Sequence, residues 1–173
     1  MKRSLLVALL AAGVTAGAQT PRLSLYEEFT GETCPPCAAI NPTLNAILAS
    51  PTNTPKVVAI KWQVPIPSAP TNTWSLYRTN KADIDWRYGA SPTNYGYPAQ
   101  YSPTNTAGNG ISSAPTGLFD GQHAWNFGAA SDHPYYVSNA VISTAQSYTS
   151  AFSVSLTNAW DATFSAQTVT VSI

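Results

Sequence analysis

Charge is scarce in this sequence: of 173 residues only 8 are Lys or Arg and 8 are Asp or Glu, and the formal net charge is zero. The charged fraction of 9% compares with about 25% in ordinary soluble proteins, and Ser, Thr, Asn and Gln, 55 in all, take the vacant places. A surface with no basic cluster cannot neutralise a row of phosphates, which argues against a nucleic-acid partner. Long apolar runs are missing too. Leu5 to Ala12 is short, and no later run reaches the roughly 18 residues of a membrane-spanning helix, so no membrane span is expected. Cysteine is limited to Cys34 and Cys37, too few for a framework of several disulfides. What is plentiful is apolar material, 44% hydrophobic and 11% aromatic, enough for one domain with a real core.

Lys2 and Arg3, the apolar stretch Leu5 to Ala12 and the small residues Ala16-Gly17-Ala18 follow the order of a secretory signal peptide, expected over 1–18. No Cys follows the cleavage point, so no lipid anchor is expected there. The protein is read as exported, to the periplasm, the cell surface or the medium.

Arg22 to Phe29 reads as a strand in which Leu23, Leu25 and Glu27 alternate against Ser24 and Tyr26. Cys34 then opens a helix: Pro35 and Pro36 suit a first turn whose N–H groups are unpaired anyway, and Ile40, Leu44, Ile47 and Leu48 form one stripe. Pro42 is expected to kink it. Lys56 to Val64 (KVVAIKWQV) is β-branched enough for a buried strand. The segment 71–113 holds seven aromatics (Trp74, Tyr77, Trp86, Tyr88, Tyr95, Tyr97, Tyr101) among Gly, Pro, Asn and Ser, and reads as an irregular insertion with one short helix around Lys81 to Tyr88. Packing beneath a long loop is one explanation for these rings, and a surface for a ligand is the other. Ala114 to Phe119 is a strand, Asp120-Gly121 a two-residue hairpin turn, and Gln122 to Phe127 the return strand. Asp132 and Pro134 start a helix with Val137, Ala140, Val141 and Tyr148 on its apolar face. After 150, Phe152, Val154 and Leu156, then Val169, Val171 and Ile173, alternate with polar residues as half-buried antiparallel strands do. Two strands alone are marginal in water, so 151–173 is expected to be a hairpin or the start of a sandwich that continues beyond Ile173.

The chemistry lies in Cys34-Pro35-Pro36-Cys37. A zinc site needs about four ligands, and His123 and His133, with nine residues between them, do not have the compact spacing of about three to five. No metal is assigned, and neither histidine is given a role. A purely structural disulfide across so small a ring contributes only about 2 kcal/mol by chain entropy. The redox reading has a mechanism. Cys34 at a helix N-cap faces the positive end of the macrodipole, which favours the thiolate. Since Pro35 and Pro36 have no N–H, backbone donors to that thiolate begin at Cys37. Cys34 is thus the expected nucleophile and Cys37 the resolving thiol.

Phe29 to Leu48 (FTGETCPPCAAINPTLNAIL), with strand, CxxC and then Pro42 five residues after the second cysteine, resembles the active-site region of thioredoxins. Ala114-Pro115-Thr116 resembles the cis-proline loop that lies beside the CxxC in that superfamily. The resemblance implies an α/β thioredoxin-like fold, a central mixed sheet flanked by helices. It also implies that Pro115 positions a client backbone beside Cys34, and that Thr33, Pro35, Pro36, Ala114 and Thr116 line the client site. Glu28, six residues before Cys34, stands where thioredoxins carry a buried acid that accepts the resolving cysteine's proton. Strand alternation turns only one of Glu27 and Glu28 inward, and Glu28 is taken as that one. More narrowly, Leu23 to Ala145 is similar to the Omp-twenty-eight-like exported, outer-membrane-related proteins of bacteria. It departs from the pattern in having Thr33 where thioredoxins place an aromatic, in lacking the lipoprotein cysteine, and in an enlarged middle.

The expectation is therefore a thioredoxin-like domain over 19–150, exchanging thiols and disulfides in exported client proteins without a cofactor and served by a redox partner protein. The alternative is a surface binding or adhesion module that keeps the fold and holds Cys34–Cys37 as a structural disulfide, its partner held by the aromatic insertion and by the C-terminal strands expected to continue the sandwich.

Overall fold

A computed structural model describes residues 22–88, 111–149, 155–160 and 167–172. The signal-peptide expectation for 1–18, Tyr95, Tyr97 and Tyr101 of the insertion, and the expected continuation at Ile173 lie outside the described residues. Leu23–Ser147 forms one compact unit, and the described residues from Tyr148 onward belong to another.

In the first unit, strand β1 (Ser24–Thr30) leads through a short turn into helix α1 (Pro35–Leu48) and then strand β2 (Val57–Gln63). Two short helices follow, α2 (Leu76–Thr79) and α3 (Lys81–Tyr88), the second where the sequence places one. Strands β3 (Thr116–Phe119) and β4 (Gln122–His123) and helix α4 (Asn139–Ser147) complete it. The sheet order is β2-β1-β3-β4, with β1 parallel to β2 and antiparallel to β3. A mixed four-strand sheet with helices is compatible with the thioredoxin-like arrangement expected above.

β1 is the hub. Its Tyr26 and Phe29, three residues apart, point to opposite faces, as do the adjacent Leu118 and Phe119 of β3. Tyr26, Phe119, Leu44, Phe127, Val141 and Ile142 form one core, and Phe29, Leu118, Val64, Tyr77 and Ile84 a second. Covered on both faces, β1 does not show the alternation read from the sequence: Leu23 is 51% exposed, while Ser24 and Tyr26 are fully buried. For the same reason Glu27 and Glu28 are both buried, which corrects the premise that only one of the pair turns inward.

β2 corrects a second expectation. Val57 is buried, but Val58 and Ile60 are exposed. Among the described residues β2 pairs with β1 alone, so its β-branched run records strand propensity rather than full burial.

The Asp120-Gly121 turn is as expected, with φ of 51° and 75°, the positive values of a two-residue hairpin turn. Asp120 is held there by its carboxylate, which accepts from Leu25 N at 2.9 Å and Ser24 Oγ at 2.7 Å. The return strand stops at His123, not Phe127. The Asp132 carboxylate takes Ala124 N at 2.7 Å and pairs with His123 Nδ1 at 2.5 Å, drawing the chain out of the ladder into a 3-10 turn, Ala124–Phe127. Asp132 therefore caps no helix. Pro134–Tyr136 is a single 3-10 turn, and α4 begins at Asn139 with Val141, Ile142 and Ala145 buried and Ala140 exposed. In the second unit, strands β5 (Ser155–Trp160) and β6 (Gln167–Ser172) pair antiparallel, with Ser155 opposite Ser172.

Candidate redox site

The end of β1 delivers Gly31, and the turn Glu32-Thr33 brings the chain to Cys34 at the N-cap of α1. Gly31 is needed for close approach: a Cβ there would lie 2.2 Å from the Ile66 carbonyl oxygen. Cys34 has extended backbone (φ −108°, ψ 99°), and Pro35 and Pro36 occupy the first helical positions, both exposed. Pro42 lies inside α1, which continues through it to Leu48.

Cys34 and Cys37 form a disulfide. The first free backbone donor of the helix, Cys37 N–H, reaches Cys34 Sγ at 3.3 Å, the donor that two successive prolines leave available. Cys37 is fully buried, whereas Cys34 keeps a 3% exposure.

The segment opening β3 lies against this pair. Cys34 Sγ is 3.6 Å from the Ala114 carbonyl oxygen, the Ala114–Pro115 peptide is cis, and Pro115 is buried. Thr116 Oγ1 donates to Ser113 O at 2.8 Å and so fastens the loop. On the other flank, Thr33 Oγ1 donates to Ser68 O at 2.7 Å, and Glu32 Oε1 accepts Leu76 N at 3.0 Å. Of the residues expected around Cys34, then, Ala114 touches the sulfur, Pro35, Pro36 and Thr33 border it, and Pro115 and Thr116 shape the neighbouring loop. Ser68 is an added member; the proline-rich segment after β2 gives no sequence signal for it.

The two adjacent glutamates serve different faces. Glu27 is taken up by Arg87, with Nε to Oε1 at 2.8 Å and Nη2 to Oε2 at 2.5 Å, and by Trp62 Nε1 at 3.0 Å. These are charge-assisted bonds that compensate a buried carboxylate. Glu28 has less. Lys61, directly opposite in the β1–β2 register, forms an ion pair with Oε2 at 2.5 Å, and neither carboxyl oxygen has a well-formed hydrogen bond among the described residues. Burial pushes the Glu28 carboxyl above the ordinary Glu range, and the Lys61 ammonium beside it pulls it partly back. A carboxyl with raised proton affinity is suited to take a proton from a thiol. Burial likewise raises the Tyr26 phenol on the same face, with Glu28 and Asp132 adding to the effect. Its hydroxyl sits where a Gly117 Cβ would be, 2.2 Å away.

In the insertion, Tyr77 is buried and donates to Asp85 Oδ1 at 2.9 Å, Trp86 and Tyr88 are half-buried, and Trp74 is 88% exposed. His133 Nδ1 accepts Tyr135 N at 3.1 Å, a local cap. Among the described residues no helix is long and apolar enough to cross a membrane. Compared with models of known protein families, with curated proteins and with solved structures, the chain matches none.

Proposed function

We propose that the protein is an exported thiol–disulfide oxidoreductase of thioredoxin-like fold, with Cys34 as nucleophile and Cys37 as resolving thiol. The observation that carries this reading is the placement of Cys34: an N-cap sulfur receiving the Cys37 N–H, 3.6 Å from the Ala114 carbonyl, ahead of a fully buried second sulfur. In the reduced protein, the Cys34 thiolate attacks one sulfur of a client disulfide, forming a mixed disulfide and expelling the client's other sulfur as thiolate. Glu28 takes the Cys37 proton as Cys37 attacks Cys34 Sγ, which releases the client's second sulfur and re-forms the Cys34–Cys37 disulfide. The client gains two electrons and the pair loses two. The same steps in reverse oxidise a client dithiol, and a redox partner protein resets the pair in either direction. Pro115 and Ala114 on one flank and Thr33, Pro35 and Pro36 on the other border the path a client backbone takes to Cys34. The sheet order and the buried Glu28 support the thioredoxin-like assignment, and the signal-like start of the chain supports export.

The test uses the reduced protein and glutathione disulfide. Cys37→Ala is expected to accumulate a Cys34–glutathione adduct, visible as a mass increase, where the unsubstituted protein closes its own disulfide and Cys34→Ala forms no adduct. If reduced Cys34 gives no adduct and does not react with an alkylating probe at neutral pH, the chain reverts to a binding module with a structural disulfide.

A further inference from the structure

Lys61 does not meet Glu28 unaided. Its ammonium also donates to Asn41 Oδ1 at 2.6 Å, and Asn41 Nδ2 donates in turn to Thr30 Oγ1 at 3.4 Å. Asn41 is four residues after Cys37 on α1, so the two lie on one face of the helix, one turn apart. Thr30 is the last residue of β1, on the segment that leads into the CxxC turn, and is buried. A single amide side chain thus joins three pieces of the site: the helix that carries Cys37, the strand end that carries Cys34, and the cation that faces Glu28.

We infer that Asn41 is a positioning residue that holds Lys61 against Glu28 and so sets the proton affinity of the carboxyl serving Cys37. This rests on the oxidoreductase reading for its purpose, although its geometry does not. Lys61 has somewhere else to go. Its side chain is 27% exposed, and it borders a groove between α1 and β2 that Asn45 and Ala59 also line. A long ammonium side chain beside water swings outward unless something fixes it, because hydration and rotamer freedom both favour the outward state. Asn41 is that fixture. Among the described residues, the groups that bear on Glu28 are Lys61 from β2, the Tyr26 phenol from β1 and the Gly117 backbone of β3 opposite it in register, while α1 contributes Asn41 through Lys61 and, on the oxidoreductase reading, the reduced Cys37 thiol. Asp132 bears on Tyr26 rather than on Glu28. Lys61 is therefore the one cation acting on the carboxyl among the described residues. An opposite charge at this range lowers a carboxyl's proton affinity, and its departure raises it.

The experiment is an NMR titration of the Glu28 side-chain carboxyl carbon in the reduced protein, in unsubstituted, Asn41→Leu, Lys61→Met and doubly substituted forms. Asn41→Leu keeps the approximate volume and removes both hydrogen bonds. It is expected to move the Glu28 midpoint upward by about one pH unit, and Lys61→Met at least as far. Asn41→Leu should add nothing once Lys61 is gone, an outcome that a merely structural role for Asn41 does not produce. In parallel, closure of the Cys34–Cys37 disulfide from the glutathione adduct should slow about tenfold below the midpoint in Asn41→Leu, with its pH profile displaced by the same amount. An unmoved Glu28 midpoint in Asn41→Leu, or an equal shift in the Lys61→Met background, overturns the inference whatever the exchange assay shows. Failure of the unsubstituted protein to form and resolve the adduct overturns the oxidoreductase reading, while the carboxyl titration still decides the role of Asn41. Asn41→Gln, which keeps acceptor and donor on a longer arm, is expected to restore part of the downward pull on Glu28, and supports the inference if it does.

Discussion

Removing Arg87 should destabilise the fold and leave the thiol chemistry in place. Glu27 is 1% exposed, and among the described residues its oxygens accept two bonds from Arg87, whose side chain is 17% exposed, and one from Trp62. Arg87→Leu takes away both guanidinium bonds and the positive charge from a buried carboxylate. Breaking a buried pair from one side costs about 3–5 kcal/mol, a large part of the roughly 5–15 kcal/mol that holds a domain together. With a slope of about 1–3 kcal/mol per molar urea, the unfolding midpoint should fall by roughly 2 M. The partner experiment is the double variant Glu27→Gln/Arg87→Leu. Its carboxamide oxygen can still accept from Trp62 and carries no charge, so at least half of the loss should return. Unfolding followed by far-ultraviolet circular dichroism gives both numbers. The alkylation rate of reduced Cys34 should not change, because Glu27 points to the face of β1 opposite Glu28. A midpoint change worth less than about 1 kcal/mol, or a double variant no more stable than the single one, would refute the argument that Glu27 is held charged by Arg87.

Two further outcomes follow from the other face of the sheet. Because burial raises the Glu28 carboxyl, its contribution to stability is fully present below the ordinary Glu range and is lost as pH rises through the raised folded-state value. Glu28→Gln should therefore gain stability relative to the unsubstituted protein as pH increases across that window, then run parallel to it, in melts recorded at a series of pH values; a gain that grows toward acid would contradict burial as the dominant cause. Gly117→Ala would set a methyl 2.2 Å from the Tyr26 hydroxyl, an overpacking worth about 1–3 kcal/mol. In a Tyr26→Phe background, which removes the nearest atom, the same change should cost less, and equal costs in the two backgrounds would show that the hydroxyl is not what Gly117 accommodates.

The chemistry-bearing parts of the molecule are legible in the sequence because they are local. A strand, a Cys-Pro-Pro-Cys turn and a helix stripe depend on near neighbours, as does the Asp120-Gly121 hairpin, and each appears where its residues place it. What is not legible depends on partners far along the chain. Whether Glu27 and Glu28 are both inside is decided by layers on both faces of β1, and the exposure of Val58 and Ile60 by the position of β2 in the sheet. The early end of β4 follows from Asp132 reaching back to Ala124. Lys61 and Asn41 have no motif of their own. Strand register puts the first opposite Glu28 and helix phase puts the second beside it, and neither is fixed by composition.

Strand β1 joins two positions in one seven-residue stretch: it lies inside the sheet between β2 and β3, and it holds buried Glu28 and leads into the Cys34–Cys37 turn. Injury to it cannot be selective. A substitution there disturbs packing and chemistry together, so a folded but inert molecule is hard to reach from that strand. Pro35 and Pro36 are in the opposite position, exposed at the rim of the same turn between the two buried cysteines. At the rim, the surface beside the Cys34–Cys37 disulfide can be altered while the architecture stays whole. The site thus divides into a part that has to stay as it is and a part free to drift, with the boundary running between Thr30 and Pro35.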